Sequence, residues 1–112
     1  MSETQQATIS PGDGHITLIN VFTCPEVRQH ELVAALDKAI REVLVHLPGF
    51  ISATVHASLD MTRVVNYAQW ASVEAYDDMQ SDKEVESHMA QIMSIAESAD
   101  PRLFTVRSVH HA

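Results

Sequence analysis

The sequence predicts an α+β fold of the ferredoxin-like kind, in which a four-stranded antiparallel sheet carries two helices on one face. Three observations predict it. Alternating strand-like segments and segments with apolar residues at helical spacing follow one another in the order β-α-β-β-α-β. One β-hairpin links the second and third strands. The chain has 112 residues, about the length of one domain.

The first strand is expected from His15 to Phe22. Both of its faces are largely apolar, so we expect a central strand that is covered on both sides. Asn20 is the exception, a polar residue in the middle of the strand. The small and polar residues 1–14 predict a disordered N-terminal tail. This leaves a domain at 15–109 and a short C-terminal tail at 110–112.

The first helix is expected to begin at Thr23-Cys24-Pro25, because proline is favoured in the first helical turn. Pro48-Gly49 is expected to end it. Between these points, apolar residues recur at helical spacing and predict one buried stripe. The stripe consists of Leu32, Leu36, Ile40, Val43, Leu44 and Leu47.

The segment from Gly49 to Trp70 predicts a β-hairpin with its turn at Asp60-Met61-Thr62. An odd number of loop residues places His56 on the same face as Asn66 and Trp70, whereas a two-residue turn separates them. We expect the odd number, because it gathers the polar groups around one cleft. Buried amide, imidazole and indole groups are costly without partners, so this polar set predicts a pocket for a polar ligand.

After the hairpin, Ser72 is expected to cap a short helix over 73–79. The segment Ser81-Asp82-Lys83-Glu84 predicts a capping box that opens a longer helix. The inner stripe of that helix consists of Val85, His88, Met89, Ile92, Met93 and Ala96. Asp100-Pro101 is expected to break it, and the alternation from Leu103 to Val109 predicts the last strand.

Composition excludes several function classes. The formal net charge is −8 without a basic cluster, so nucleic acids and anionic membranes are poor partners. The single Cys24 cannot form an internal disulfide, and His110-His111 lacks the carboxylate or Cys that a metal site needs. No stretch is apolar enough to span a bilayer, and the N-terminus does not resemble a signal peptide. We therefore expect a cytoplasmic protein without a metal.

The sheet face away from the helices is expected to be apolar. It should carry Ile19, Val21, Val65 and Tyr67. A large apolar face of this kind is rarely left in water. We therefore expect a homodimer in which two copies pack sheet against sheet.

The hairpin resembles a known family, the antibiotic biosynthesis monooxygenases (ABM). The resemblance extends from Ile16 to Val109, and three runs carry it: Pro48-Gly49-Phe50-Ile51-Ser52-Ala53, His56-Ala57-Ser58-Leu59-Asp60, and Val64-Val65-Asn66-Tyr67-Ala68-Gln69-Trp70 with Ser72. They are most similar to the branch that oxidises polycyclic aromatic polyketides to quinones without a cofactor. The resemblance implies a dimeric α+β barrel that uses O2 on a small aromatic substrate.

The sequence departs from the family pattern at two places. Met61 stands where family members usually have Gly after the turn Asp, a position that often requires a positive φ. Quinone-forming members also use an Arg on the second long helix. No Arg lies between Val73 and Ala99 here, so that role is unfilled or passes to His88.

The resemblance implies two overlapping sets of site residues. His56, Asn66, Trp70 and Tyr76 match residues that line the quinone-forming site. Asn20, Trp70 and His88 match the Asn, Trp and His of haem-degrading relatives. The candidate catalytic residues are therefore Asn66, Trp70, His56 and His88, and the candidate substrate-binding residues are Asn20, Tyr76, Met89 and Phe22.

Three functions compete at this point. The first is a cofactor-independent monooxygenase that converts an anthrone- or hydroquinone-like aromatic into a quinone. The second is a haem-binding, haem-degrading oxygenase with His88 as the axial ligand. The third is a non-catalytic domain that binds an aromatic ligand. Each residue also has a structural alternative, since Trp70 and His88 are both common as core residues with satisfied hydrogen bonds.

Overall fold

The computed structural model describes residues 5–112 and has the predicted ferredoxin-like α+β architecture. The strand order in the sheet is β2-β3-β1-β4, and every neighbouring pair is antiparallel. In chain order the elements are β1 (Ile16–Thr23), a 3-10 turn (Glu26–Arg28), α1 (Gln29–Glu42), a second 3-10 turn (Leu44–His46), β2 (Phe50–Ala57), β3 (Arg63–Trp70), α2 (Val73–Gln80), α3 (Lys83–Met93) and β4 (Ser98–Phe104).

The core lies between the helices and one face of the sheet. Phe22 of β1 and Val64 of β3 are buried against Leu32 of α1 and Ile92 of α3, and each of these side chains is 2% exposed or less. Full burial of such a side chain stabilises the fold by about 1.5–3 kcal/mol. The central position predicted for β1 is confirmed, because it pairs with β3 on one side and with β4 on the other.

The first helix is shorter than the sequence pattern suggests. The α-helical hydrogen bonds end near Glu42, and the chain continues through the 3-10 turn before it reaches Gly49. Gly49 adopts φ +81°, and a Cβ at this position would overlap the Cβ of Ala75 in α2. Gly49 therefore allows both a left-handed turn and the close approach of α2 to the start of β2.

The helix after α2 begins one residue later than predicted. Asp82 is its N-cap, and the Asp82 carboxylate accepts hydrogen bonds from the backbone N–H groups of Glu84 (2.9 Å) and Val85 (3.1 Å). The predicted capping box, with Ser81 at the cap, is wrong. A carboxylate at this position also interacts favourably with the positive end of the helix dipole.

The predicted bounds of the last strand are also wrong. β4 occupies Ser98–Phe104, and the alternating residues from 105 onwards lie outside the sheet. The N–H of Glu97 donates to the carbonyl of Thr23 (2.7 Å), which brings the chain into the β1 ladder directly after α3. Pro101 is tolerated because β4 is an edge strand, which among residues 5–112 pairs with β1 alone.

The hairpin register differs from the prediction and moves His56 to the other face of the sheet. The N–H of Ser58 donates to the carbonyl of Arg63 (3.0 Å), so four residues, an even number, lie between this pair. His56 is then opposite Val65, and Val55 is opposite Asn66. Met61 closes the turn with φ +67°. The prediction that His56 shares a face with Asn66 and Trp70 is therefore wrong.

The N-terminal segment touches the outer face of the sheet. Residues 1–4 of the predicted disordered tail lie outside the described residues. Residues 5–14 form no helix or strand, but the carbonyl of Thr8 accepts a hydrogen bond from the buried side chain of Gln69 (2.8 Å). None of the helices within residues 5–112 combines the length and the apolar character required to cross a membrane.

Candidate active site

A cavity of about 210 Å³ lies between the sheet and the three helices. β1 and β3 form its floor, and apolar side chains of α1 and α3, together with Met79 of α2, form most of its walls. Seven of the eight candidate site residues line it: Asn20, Phe22, Asn66, Trp70, Tyr76, His88 and Met89. Their assigned roles stay predictions, but the fold brings these seven residues together.

The floor of the cavity carries polar groups that have no partner. Asn20 and Asn66 are direct cross-strand neighbours on β1 and β3, and both are at least 94% buried. Among the described residues, nothing hydrogen-bonds the Oδ1 of Asn20, the Oδ1 of Asn66 or the Nε1 of Trp70. Each such buried group costs about 1–3 kcal/mol of stability. A ligand in the cavity that completes these hydrogen bonds would remove the cost.

Aromatic neighbours hold Trp70 in position. The indole packs edge to face against Phe50, with ring centroids 5.5 Å apart, and against Tyr76 at 6.3 Å. Such pairs prefer this geometry because the positive edge of one ring meets the negative face of the other. Trp70 is 1% exposed, so the indole N–H has a fixed direction.

Tyr76 supplies a phenol to the same cavity. Nε2 of Gln80 donates a hydrogen bond to the phenol oxygen (3.2 Å), which leaves the phenol proton free to be donated. Burial, and next the charge of Asp77, raises the pKa of Tyr76 above its usual value. The phenol is therefore a neutral donor at physiological pH. Gln80 was not among the candidates, although its i,i+4 spacing from Tyr76 on one helix was the available signal.

His88 lines the cavity from α3. Its side chain is 17% exposed, and its Nε2 lies 3.8 Å from Oε1 of Glu42 at the end of α1. Glu86, two residues earlier on α3, also borders the cavity. Within residues 5–112, no Lys or Arg lines the cavity.

His56 lies outside this site. It is exposed on the outer face of the sheet, opposite Val65. Gln69 is on the same outer face, and both ends of its side-chain amide are hydrogen-bonded: Oε1 accepts from Ser52 Oγ (2.7 Å), and Nε2 donates to the carbonyl of Thr8 (2.8 Å). The outer face therefore carries both residues, but only the Gln69 side chain is tied to its neighbours by hydrogen bonds among the described residues. Residues 5–112 contain no cluster of three or more His, Cys, Asp or Glu side chains suited to a metal ion.

Comparisons with known proteins identify the family to which the chain belongs. Residues 15–91 match the family model described as "Antibiotic biosynthesis monooxygenase". The tetracenomycin-F1 monooxygenase of Streptomyces glaucescens is 40% identical over 90 residues, which are 80% of each chain.

Solved structures agree with this match. The monooxygenase ActVA-Orf6 of Streptomyces coelicolor, crystallised with nanaomycin D, is 30% identical to this chain. The two structures match with a TM-score of 0.76, and the match covers 88% of this chain and 92% of the ActVA-Orf6 chain. SnoaB, a cofactor-independent oxygenase from Streptomyces nogalater, has the same fold at 20% identity, with a TM-score of 0.77 over 86% of this chain and 96% of its own. The chain belongs to the antibiotic biosynthesis monooxygenase family and is a monooxygenase.

Proposed function

We propose that this protein is a cofactor-independent monooxygenase that uses O2 to oxidise an anthrone- or hydroquinone-like aromatic to a quinone. One observation carries the proposal. Among the described residues, two carboxamide oxygens and an indole N–H lie buried and unpartnered on the floor of an otherwise largely apolar cavity. This combination suits a flat aromatic guest with oxygen atoms on one edge.

The chemistry explains what such a cavity must provide. Ground-state O2 is a triplet and reacts slowly with closed-shell molecules, but an electron-rich carbanion or phenolate can transfer one electron to it and then recombine. For an anthrone, a CH2 group becomes C=O, and the second oxygen atom leaves as water with the two hydrogens. The protein must therefore remove a proton, stabilise the resulting oxyanion and keep solvent away.

The cavity residues divide these tasks. The Nε1 of Trp70 and the amide N–H groups of Asn66 donate hydrogen bonds to the oxyanion, and Asn20 and Tyr76 contact further oxygens of the substrate. His88 accepts the proton, since it is the one imidazole among the lining residues of the described chain. Phe22, Met79 and Met89 supply apolar walls, and the flexible methionines adapt to the ring system.

The relatives support this substrate class. The 40% identical protein is named for its action on tetracenomycin F1, and the 30% identical ActVA-Orf6 was crystallised with nanaomycin D. The hairpin residues, which resemble the cofactor-free branch of the family, support oxidation without haem or another cofactor.

Oxygen uptake tests the proposal. Wild-type protein with 1,8-dihydroxyanthrone in metal-free, chelator-treated buffer should consume one O2 for each quinone formed. A double variant, Asn66→Ala with Trp70→Phe, should lose at least about 10²-fold in kcat, as expected when oxyanion donors are removed. His56→Ala should keep its activity, because that side chain lies on the outer face of the sheet.

Two results would reject the proposal. The first is no uptake with a panel of anthrones and hydroquinones, and the second is uptake that survives the double variant. Added haem provides a separate arm of the experiment. A Soret shift that is lost in His88→Ala would favour the haem-degrading alternative.

We also propose that the protein acts as a homodimer that packs through the outer face of the sheet. Ile19, Val21, Val65 and Tyr67 form a continuous row on that face and are only half-buried in the single chain. Light scattering after size exclusion should give the mass of two chains. Val65→Lys should give one chain, because a charge would be buried in the apolar interface.

A further inference from the structure

The contact between His88 and Glu42 joins the two long helices beside the cavity. Glu42 is the last residue of α1, and His88 lies in the middle of α3. The Nε2–Oε1 distance is 3.8 Å, and the imidazole is largely buried whereas the carboxylate is about half exposed. No other side chain of residues 5–112 pairs with His88 by a hydrogen bond or a salt bridge.

Transfer of the substrate proton to His88 would place a positive charge beside this contact. A proton that moves from the substrate to His88 leaves an anion and an imidazolium inside a largely apolar cavity. In the part of the chain that the structure describes, no Lys or Arg lines the cavity, and the Glu86 carboxylate lies at its border. The imidazolium therefore supplies the positive charge next to the substrate anion. Glu42 and the negative end of the α1 dipole are the groups that face His88 from the neighbouring helix.

We propose that Glu42 is a positioning residue that orients His88 and stabilises its protonated form during substrate deprotonation. This inference rests on the proposed function, because it concerns the proton-transfer step of that reaction. Glu42 does not line the cavity, so it acts through His88 and not on the substrate.

The proton-transfer step balances without a further reactant. The C–H bond at C10 of an anthrone breaks, and its electron pair delocalises onto the carbonyl oxygen as an enolate. The proton forms an N–H bond on the imidazole. Nε2 is the nitrogen that lies 3.8 Å from the Glu42 carboxylate, a contact that is electrostatic and too long for a hydrogen bond. The negative charge favours the tautomer with its proton on Nε2, which leaves Nδ1 to accept the substrate proton. The oxidant, O2, enters only after this step.

An anaerobic experiment isolates the step. Without O2, wild-type protein mixed with 1,8-dihydroxyanthrone at neutral pH should build up the long-wavelength absorbance of the enolate. Glu42→Gln should reduce the bound enolate about tenfold, Glu42→Asp should restore most of it, and His88→Gln should abolish it. Glu31→Gln is the matched control, because Glu31 is also an exposed carboxylate on α1 but pairs with Arg28 away from the cavity.

Aerobic kinetics provide the second readout. Glu42→Gln should lower kcat about tenfold and leave KM within about twofold. The double variant Glu42→Gln/His88→Gln should be no slower than His88→Gln alone, because the effect of Glu42 passes through His88. A purely structural role would instead lower the melting temperature and add to the loss in the His88 variant.

The outcomes separate the two proposals. If the enolate forms anaerobically and depends on Glu42, but no O2 is consumed on admission of air, the positioning role stands and the proposed oxygenation fails. If O2 is consumed equally by wild type and Glu42→Gln, the positioning role is overturned and the oxygenation stands. If wild type forms no enolate, or if Glu31→Gln matches Glu42→Gln, the positioning role is overturned.

Discussion

Replacing Asn66 with Leu should make the protein more stable and inactive at the same time. Asn66 is 6% exposed, and its Oδ1 has no hydrogen-bond partner among the described residues. Leu has nearly the same shape and carries no polar atom, so the substitution removes an unsatisfied buried group without leaving a large void.

The expected rise in the free energy of unfolding follows from one atom, the Oδ1 of Asn66. A buried acceptor without a partner costs about 1–3 kcal/mol, and we expect the free energy of unfolding to rise by about that amount. In urea, this corresponds to a midpoint that is higher by roughly 1 M for a domain of this size. Turnover should fall by at least about 10²-fold, because an oxyanion donor is lost. Urea unfolding followed by Trp70 fluorescence and an oxygen electrode measure the two effects.

Gln69→Leu is the matched control on the same strand. Gln69 is also buried, at 2% exposed, but both ends of its amide are hydrogen-bonded to Ser52 and Thr8. Its replacement leaves those partners unsatisfied and should lower the free energy of unfolding by about 1–3 kcal/mol, while the cavity stays intact. If Asn66→Leu destabilises as much as Gln69→Leu, or if it remains active, Asn66 is a structural residue and the reasoning is wrong.

Three further predictions concern the turns. Gly49→Ala should lower the free energy of unfolding in urea by about 2–4 kcal/mol, because the new Cβ meets a positive φ and also overlaps Ala75. Gly12→Ala is the control, since Gly12 has φ +74° but no neighbour within 4 Å, and it should lower the free energy of unfolding by only about 1–2 kcal/mol. Met61→Gly should raise it by about 0.5–1 kcal/mol, since Met61 holds φ +67°, and unchanged or lower stability would show that this turn is not strained. Hydrogen bonds from Thr62 and Ser58 hold the pKa of Asp60 at about 2. A lowered pKa stabilises the fold above about pH 4, so the stability advantage of wild type over Asp60→Asn should be complete at pH 6 and disappear between about pH 4 and pH 2. An advantage that persists at pH 2 would contradict this.

The order of the helices and the presence of the hairpin could be predicted from the sequence, because their signals are local, although several bounds and the hairpin register could not. The stripe from Leu32 to Leu44 and the alternation around Asn66 each follow from the repeat of one element. Asn66, Trp70 and Tyr76 lie close together in the chain, so one hairpin and the helix after it bring them into the cavity.

Non-local pairing could not be predicted in the same way. The position of Asn20 directly opposite Asn66 depends on the register between β1 and β3, which no short segment determines. His56 was misplaced because the Ser58–Arg63 hydrogen bond leaves four residues in the turn, where the sequence suggested three. β4 was misplaced because its pairing begins beside Thr23, whereas the alternation of its residues continues past the end of the sheet. Glu42 was missed because its contact with His88 depends on how α1 packs against α3. Gln80 was missed although its i,i+4 spacing from Tyr76 is a local signal.

The indole N–H of Trp70 provides the most direct test of the central claim. This claim is that the polar groups left without partners in the cavity form hydrogen bonds to an aromatic ligand. The protein has one Trp, so this group gives a single indole cross-peak in a 1H–15N spectrum. On titration with a hydroxyanthraquinone product, the peak should move downfield as the N–H gains a hydrogen bond. The double variant Tyr76→Phe/Asn66→Leu lacks two polar groups of the cavity that contact the ligand, so it should no longer bind the product and its indole peak should not move. A peak that stays in place at saturating ligand would contradict the claim.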